Sequence, residues 1–209
     1  TNGLQAMYPD TAGNGSVMRC WPAAVIAWQN QKLIFDFSRR QSLVTHAHLE
    51  CSAGCVFIND MLFHLIHGKT LYDAYNAALH EVELPQGLQQ TIMLAPHRKR
   101  EELRNTGWVR HTIESALWGL LNTYQFKDAL IQVINLGGDA DTAGAVAGAL
   151  AGAAAMARKS LRAALDWQRR RSRNGHAKPG RSRIPYVTIC LKVGFGFACD
   201  CPVQACRAG

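Results

Sequence analysis

The amino-acid sequence predicts an all-α fold, and three features indicate it. Apolar residues recur at steps of three and four along most of the chain up to residue 155. No useful length of sequence before Tyr186 alternates apolar and polar residues, so strands are not expected there. The 209 residues are 48% apolar, which suffices for one globular domain with a substantial core.

The first three predicted helices follow one another along the chain. Residues 20–30, "CWPAAVIAWQN", carry proline near the start, where a helix tolerates it. Residues 49–66 form a long buried helix that stops at Gly68, a usual terminator. Residues 70–83 form the third helix, in which Thr70 is the capping residue and Leu71 is the first residue of the apolar face.

Two more helices are predicted on either side of the turn "NTYQ", within "GWVRHTIESALWGLLNTYQFKDALIQVINLGG". Four side chains of the second helix should face inward: Phe126, Ala129, Leu130 and Val133. The next helix is built of Ala, Gly and Val. It has glycine at every fourth position, so one face lacks side chains and another helix can pack close to it. These glycines are Gly144, Gly148 and Gly152.

The net charge of +8 belongs to the end of the chain. Residues 156–185 contain ten Lys/Arg against the single Asp166, whereas residues 1–155 contain eleven Lys/Arg and thirteen Asp/Glu. We therefore divide the chain into a compact domain, 1–155, and a basic, Cys-rich tail, 156–209, that is expected to be irregular or disordered. Because no aromatic residues are interleaved with the basic ones in a known binding pattern, the tail does not favour a nucleic-acid partner.

Cysteine usage and hydropathy predict a soluble, cytoplasmic protein. Cys51 and Cys55 are four residues apart in an apolar helical pattern, which is typical of buried free thiols in a reducing compartment. The N-terminal residues lack the pattern of a signal peptide. The longest run of small apolar residues, 143–157, is short for a membrane span.

Two carboxylates and a hydroxyl stand together before the glycine-rich helix, in "GGDADT". Asp139, Asp141 and Thr142 offer hard oxygen donors, which Mg²⁺ or Mn²⁺ prefers. Gly137 and Gly138 permit a tight entry with positive φ. The spacing alone leaves an alternative open, in which Asp141 or Thr142 only caps the helix and Asp139 is solvated.

A second candidate site lies near the start of the chain. Gly13, Asn14, Gly15 and Ser16 form a loop before a helix, where exposed backbone N–H groups favour a pyrophosphate. The alternative is a simple turn, since Asn-Gly is a common turn pair.

Four segments in order resemble the ADP-ribosylglycohydrolase family: "AGNGSVMRCWP", "THAHLE", "GWVRHTIESALWGLLNT" and "NLGGDADTAGAVAGALAGA". The resemblance implies a compact, orthogonal multi-helix bundle with two divalent ions, Mg²⁺ or Mn²⁺. It implies a hydrolase that cleaves the N-glycosidic bond between ADP-ribose and a modified side chain such as arginine, in a protein or in a small conjugate.

The same resemblance assigns roles to individual residues. Asp139, Asp141 and Thr142 would be metal ligands, the 13–16 loop would bind substrate, and His46 would donate to a ribose or phosphate oxygen. Asp10 resembles an acid that some members place close to the scissile ribose, which makes it the candidate catalytic residue.

The chain departs from the family pattern at both ends. It contains neither the Thr-Asp-Asp cluster nor the G-D-x-x-G segment that complete the metal site, so an N-terminally incomplete member is expected. The alternative function is an inactive fragment or remnant that at most binds ADP-ribose. The resemblance is lost after about Ala154, where Arg and Cys become frequent, as in an out-of-frame C-terminus.

Overall fold

The computed structural model describes residues 12–173, except the side chains of 160–161, 163–165 and 167–173. The prediction of an all-α fold is confirmed: this part of the chain contains helices, two short 3-10 turns and one isolated bridge, between Gly13 and Trp108. The helices are α1 (Gly15–Met18), α2 (Pro22–Ile26), α3 (Gln31–Leu43), α4 (Leu49–Ile66), α5 (Leu71–Glu81), α6 (Gln86–Leu94), α7 (Val109–Leu121), α8 (Phe126–Ile134) and α9 (Ala140–Arg173).

Helix α4 lies at the centre of the fold. Thirteen of its eighteen residues are buried, and it packs against α3 on one side and α5 on another. Its apolar side chains, such as Phe57 and Met61, join one continuous core with α7, whose Ile113 and Leu117 are fully buried. Burial of this apolar surface provides the main free energy of folding.

Helix α5 begins as its sequence predicts. The Thr70 hydroxyl accepts a hydrogen bond from the backbone N–H of Asp73 at 3.2 Å and donates one to the Asp73 carboxylate at 2.6 Å. This cap satisfies one of the N–H groups that a helix start leaves without a partner.

The helix predicted over residues 20–30 is shorter, and α3 follows it without having been predicted. Helix α2 ends at Ile26, and Asn30 caps α3 by accepting from the Leu33 N–H at 3.1 Å. The buried face of α3 carries Ile34, Ser38 and Ser42. Because two of these three residues are polar, the apolar periodicity that marks a helix is hidden in the sequence.

The glycine face of α9 is covered by α8, as the sequence predicts. The side chains of α8 that lie over Gly144, Gly148 and Gly152 are four residues apart in reverse order: Ile134, Leu130 and Phe126. Ala129 and Val133 are buried, as predicted for the inward face of α8, but Phe126 is 42% exposed. The glycines of α9 therefore let α8 pack directly against it.

Helix α9 continues beyond the predicted domain boundary at residue 155 and ends at Arg173. Among the described residues, 12–165 belong to one compact unit and 166–173 to another. The remainder of the predicted tail, 174–209, lies outside the described residues.

Two helical segments are long and apolar enough to cross a membrane by length and composition alone, Leu49–Ile66 and Ala140–Lys159. In the first, 72% of the apolar window is buried inside the fold, which is typical of the core helix of a soluble protein. The expected cytoplasmic location stays a prediction.

The contact between α8 and α9 predicts opposite effects for two substitutions of Gly148. A Cβ atom there would lie 3.5 Å from Leu130 Cδ2, an ordinary contact. We expect Gly148→Ala to raise the free energy of unfolding by about 0.5–1 kcal/mol, because alanine favours the helix. We expect Gly148→Leu to lower it by about 1–3 kcal/mol, because the larger side chain overfills the contact. Equilibrium urea unfolding measures both, and equal effects of the two variants would contradict the packing.

Candidate active site

The segment 105–109, which ends at the first residue of α7, connects the two motifs that the sequence singles out. On one side, the Asn14 N–H donates to the Gly107 carbonyl at 3.0 Å, and the Val109 N–H donates to the Ala12 carbonyl at 2.9 Å. On the other side, the Asp139 N–H donates to the Asn105 carbonyl at 3.0 Å. The segment therefore holds the glycine loop and the "GGDADT" turn next to each other.

The Asn14 side chain joins the two motifs directly. Its amide donates to Asp139 Oδ2 at 2.6 Å and to Thr112 Oγ1 at 2.7 Å. Asn14 is 8% exposed, and Thr112 is fully buried at the start of α7. A buried amide with both donors used holds its partners in one arrangement.

The hydrogen bond from Asn14 is the largest cause that keeps the pKa of Asp139 below its ordinary value. Partial burial opposes it, and hydrogen bonds with the side chains of Thr142 and Asp141 lower the pKa further. Asp139 is therefore ionised at neutral pH. The three oxygen-bearing side chains predicted as metal ligands lie within reach of one another.

The turn before α9 requires glycine. Gly137 and Gly138 have φ of +72° and +60°, in the left-handed region. A Cβ atom on Gly138 would collide with the Asn105 carbonyl oxygen, and the Asn105 amide donates to the Gly137 carbonyl at 2.6 Å. This turn places Asp139 next to the glycine loop.

Helix α9 begins at Ala140, and the Ala143 N–H donates to the Asp139 carbonyl at 3.2 Å. The capping position is thus held by Asp139, not by Asp141 or Thr142, which lie within the first turn. Asp141 is exposed, and the buried Thr142 hydroxyl only donates in its contacts with the Asp139 carboxylate and with the Met18 sulfur, the latter at 3.7 Å. The Asp141 carboxylate and the Thr142 hydroxyl thus keep oxygen lone pairs for a hard cation, and the donor set fits Mg²⁺ or Mn²⁺.

His46 lies against the glycine loop. A Cβ atom on Gly13 would be 3.1 Å from His46 Nε2, and one on Gly15 would be 3.0 Å from Cε1, so the missing side chains permit this approach. Thr45 Oγ1 is 2.6 Å from His46 Nδ1. Partial burial and the charge of Arg19 lower the pKa of His46, which favours the neutral imidazole at neutral pH.

The structure thus brings together every described residue that was predicted for the site, although Ser16 differs from its neighbours. Ser16 is fully buried, and its hydroxyl faces the thiols of Cys51 and Cys55 rather than the loop surface. Asp10 lies outside the described residues, so its catalytic role stays a prediction.

Thiol chemistry at this site is not favoured. Burial raises the pKa of Cys51 to about 12, and its thiol donates to the Gly13 carbonyl at 3.2 Å. Cys20 is 1% exposed, and its hydrogen bond with Cys55 and its burial raise its pKa. A protonated, buried thiol is a poor nucleophile, so Cys51 and Cys20 have structural roles.

Trp108 borders the glycine loop, a position that helical periodicity did not indicate. It is 39% exposed and pairs with Gly13 through the isolated bridge. The Arg110 guanidinium lies over its ring, 4.7 Å from the centroid, and Arg110 Nε donates to the buried Glu50 at 2.8 Å. The segment 105–109 and Thr112 were also missed as site residues, because their contacts depend on partners distant in sequence.

A separate cavity of about 250 Å³ lies elsewhere in the compact unit. Its lining contains no Asp or Glu, so it offers no carboxylate ligand for a metal ion. It is lined by Gly68, Lys69, Thr70, Leu71, Tyr72, Leu121, Thr123, Tyr124, Ala154, Ala157 and Arg158.

Comparison with known proteins gives one consistent result. Residues 2–174 match the sequence model of the family described as ADP-ribosylglycohydrolase, so the match passes the point near Ala154 where the resemblance was expected to end. A solved structure named "ADP-ribosylglycohydrolase-related protein complex" superposes with a TM-score of 0.61 at 28% identity, covering 73% of this chain and 56% of that one.

Three curated relatives are similar over about two thirds of the chain. ADP-ribosylarginine hydrolase Tri1 of Serratia proteamaculans is 35% identical over 66% of the chain, and Tri1 of Pseudomonas putida is 33% identical over 69%. ADP-ribosyl-[dinitrogen reductase] glycohydrolase of Rhodospirillum rubrum is 33% identical over 65%. The matches cover 37%, 39% and 44% of these relatives, so the chain spans less than half of their length.

The Asn14–Asp139 hydrogen bond predicts a change in the ionisation of Asp139. In Asn14→Ala the pKa of Asp139 should rise toward its ordinary value, because its main stabilising donor is lost. A lowered pKa stabilises the fold above the pKa of the unfolded chain, and this contribution disappears as the pH falls through the folded pKa. Titration of the ¹³C carboxyl shift measures the change.

The matched control is Asn122→Ala, since the Asn122 amide donates to the carbonyls of Pro96 and Trp118 and not to Asp139. It should leave the Asp139 titration as in the wild type. An unchanged titration in Asn14→Ala would contradict the assigned cause.

Proposed function

Because the chain belongs to the ADP-ribosylglycohydrolase family, we propose that it forms part of a metal-dependent hydrolase that cleaves the N-glycosidic bond between ADP-ribose and an arginine side chain. The observation that carries the proposal is the Asn14–Asp139 hydrogen bond of 2.6 Å. It joins the loop proposed to bind substrate with the side chains proposed to bind metal, so that both act on the same molecule.

In this proposal Asp139, Asp141 and Thr142 hold the divalent ion. The ionised Asp139 is kept in place by Asn14, and Asp141 and Thr142 follow on the first turn of α9. When bound, Mg²⁺ or Mn²⁺ would neutralise negative charge and polarise oxygen atoms. A family member completes its site with a Thr-Asp-Asp cluster, which this sequence does not contain.

The glycine loop is proposed to receive the diphosphate of ADP-ribose. The absence of side chains on Gly13 and Gly15 lets the His46 imidazole lie against the loop, where its neutral form can donate to a phosphate or ribose oxygen. Helix α1 is a single turn of four residues, so its dipole contributes little. Individual hydrogen bonds therefore have to hold the anion.

The proposed substrate is an ADP-ribosylated protein or a small conjugate of ADP-ribose. Relatives named for ADP-ribosylarginine and for ADP-ribosyl-dinitrogen reductase support this class. Asp10, just before the loop, is the proposed catalytic residue. Hydrolysis of a glycosidic bond needs a carboxylate near the sugar to help activate water, and the ribose must be oriented while positive charge develops on it.

An alternative function is binding of ADP-ribose without hydrolysis. The glycine loop and His46, which are proposed to bind ADP-ribose, can do so without a metal ion, as this alternative requires. The two functions differ in whether ADP-ribose is released from ADP-ribosylarginine.

Release of ADP-ribose from ADP-ribosylarginine in the presence of Mg²⁺ or Mn²⁺ tests the proposal. We expect activity in a version extended at its N-terminus with a Thr-Asp-Asp cluster, and a loss of at least about 100-fold in its Asp141→Ala variant, because a metal ligand is removed. Asp128→Ala, which changes an exposed acid in the first turn of α8, should keep full activity.

The chain itself should be assayed beside the extended version. Activity in neither, together with retained ADP-ribose binding, would favour the binding function. An unimpaired Asp141→Ala variant would refute the assigned metal ligand.

A further inference from the structure

A second group of ligand-bearing side chains lies in the C-terminal half of α4. Asp60 and His64 are on successive turns of that helix, and Glu81 is the last residue of α5. His64 Nε2 is 3.5 Å from Asp60 Oδ2 and 3.3 Å from Glu81 Oε2. One ligand atom from each side chain lies within 4.8 Å of the other two.

Two of these ligand atoms are buried and face each other without forming a hydrogen bond. Asp60 is 0% exposed and His64 is 4% exposed. Nevertheless, neither Asp60 Oδ2 nor His64 Nε2 takes part in a hydrogen bond. Buried polar atoms in folded proteins are nearly always paired, so two orphaned atoms that face the same space require an explanation. A bound cation would use both of them.

The local charge also favours a cation. The buried Asp60 carboxylate lies within 4.8 Å of the Glu81 carboxylate, so two negative groups face the same space. The Gln31 amide donates to Asp60 Oδ1 at 2.7 Å and to Glu81 Oε2 at 2.5 Å, which holds both carboxylates in place. Lys69 supplies one positive charge near Asp60. A divalent ion would compensate both carboxylates at once.

We propose that Asp60, His64 and Glu81 bind one Zn²⁺ that ties α4 to α5. A zinc ion with bonds of about 2.0–2.1 Å in tetrahedral geometry places its ligand atoms about 3.3 Å apart, close to the two separations observed. The imidazole favours zinc over the magnesium expected at an all-oxygen site. Water takes the fourth position, and Gln31 orients the carboxylates from outside.

This site is separate from the proposed active site. Cys51, at the other end of α4, contacts the glycine loop through the Gly13 carbonyl. Asp60 is nine residues further along the helix, about 13 Å at the usual rise. Zinc binding at Asp60 therefore requires neither ADP-ribose nor the ligands of the proposed active site.

The test is calorimetric titration of the metal-free full chain with Zn²⁺, in a background where the four tail cysteines are serine so that they cannot bind the ion. We expect one equivalent to bind, with a rise in Tm. Glu81→Gln, a change at a partly exposed position that should fold, is expected to weaken Zn²⁺ binding by about 100-fold. His64→Gln should do the same.

Two variants serve as controls. His80→Gln changes an exposed histidine next to the cluster and should leave the affinity unchanged. Asp141→Ala should also retain the Zn²⁺ site, whereas loss of binding in that variant would assign the ion to the proposed active site. Absence of binding in the background chain, or equal affinity in Glu81→Gln and the wild type, would overturn the proposal.

Discussion

The hydrogen bond from the Asn14 amide to the Asp139 carboxylate is the interaction on which the site depends. It connects residues 125 positions apart in the chain. The segment 105–109 brings their backbones together, and the positive φ of Gly138 turns Asp139 toward the amide. The second donor of Asn14 is used by Thr112 on α7, so the core of the fold sets the position of the amide. Helix packing thereby determines the geometry of a site formed mainly by loops.

This arrangement favours oxygen chemistry over sulfur chemistry. The Asn14 hydrogen bond stabilises the ionised form of Asp139, whereas burial keeps Cys51 protonated. Both residues contact the glycine loop, Asp139 through the Asn14 side chain and the buried Cys51 through the Gly13 carbonyl. An ionised Asp139 carboxylate and a protonated Cys51 thiol are the charge states that the proposed metal-assisted hydrolysis requires.

The sequence predicted the helical class, which is confirmed, and named the candidate site residues, but it did not predict the contacts that join them. Helices α4 and α7 were predicted well, because their apolar residues recur at steps of three and four within the segment itself. Helix α3 was missed because Ser38 and Ser42 occupy its buried face. The contacts of Asn14 with Thr112 and Asp139 depend on chain folding, which no local pattern encodes. The cluster of Asp60, His64 and Glu81 was missed for the same reason, since Glu81 comes from another helix.

Addition of Mn²⁺ to the ¹⁵N-labelled chain tests the central claim most directly, because the unpaired electrons of a bound ion broaden the amide signals nearest to it. The account predicts that the first signals to broaden belong to Asp139–Thr142 and, across the Asn14 hydrogen bond, to Gly13–Gly15. Asp141→Ala should abolish this pattern. Broadening confined to other parts of the chain, or unchanged broadening in Asp141→Ala, would contradict a single site formed by the two motifs.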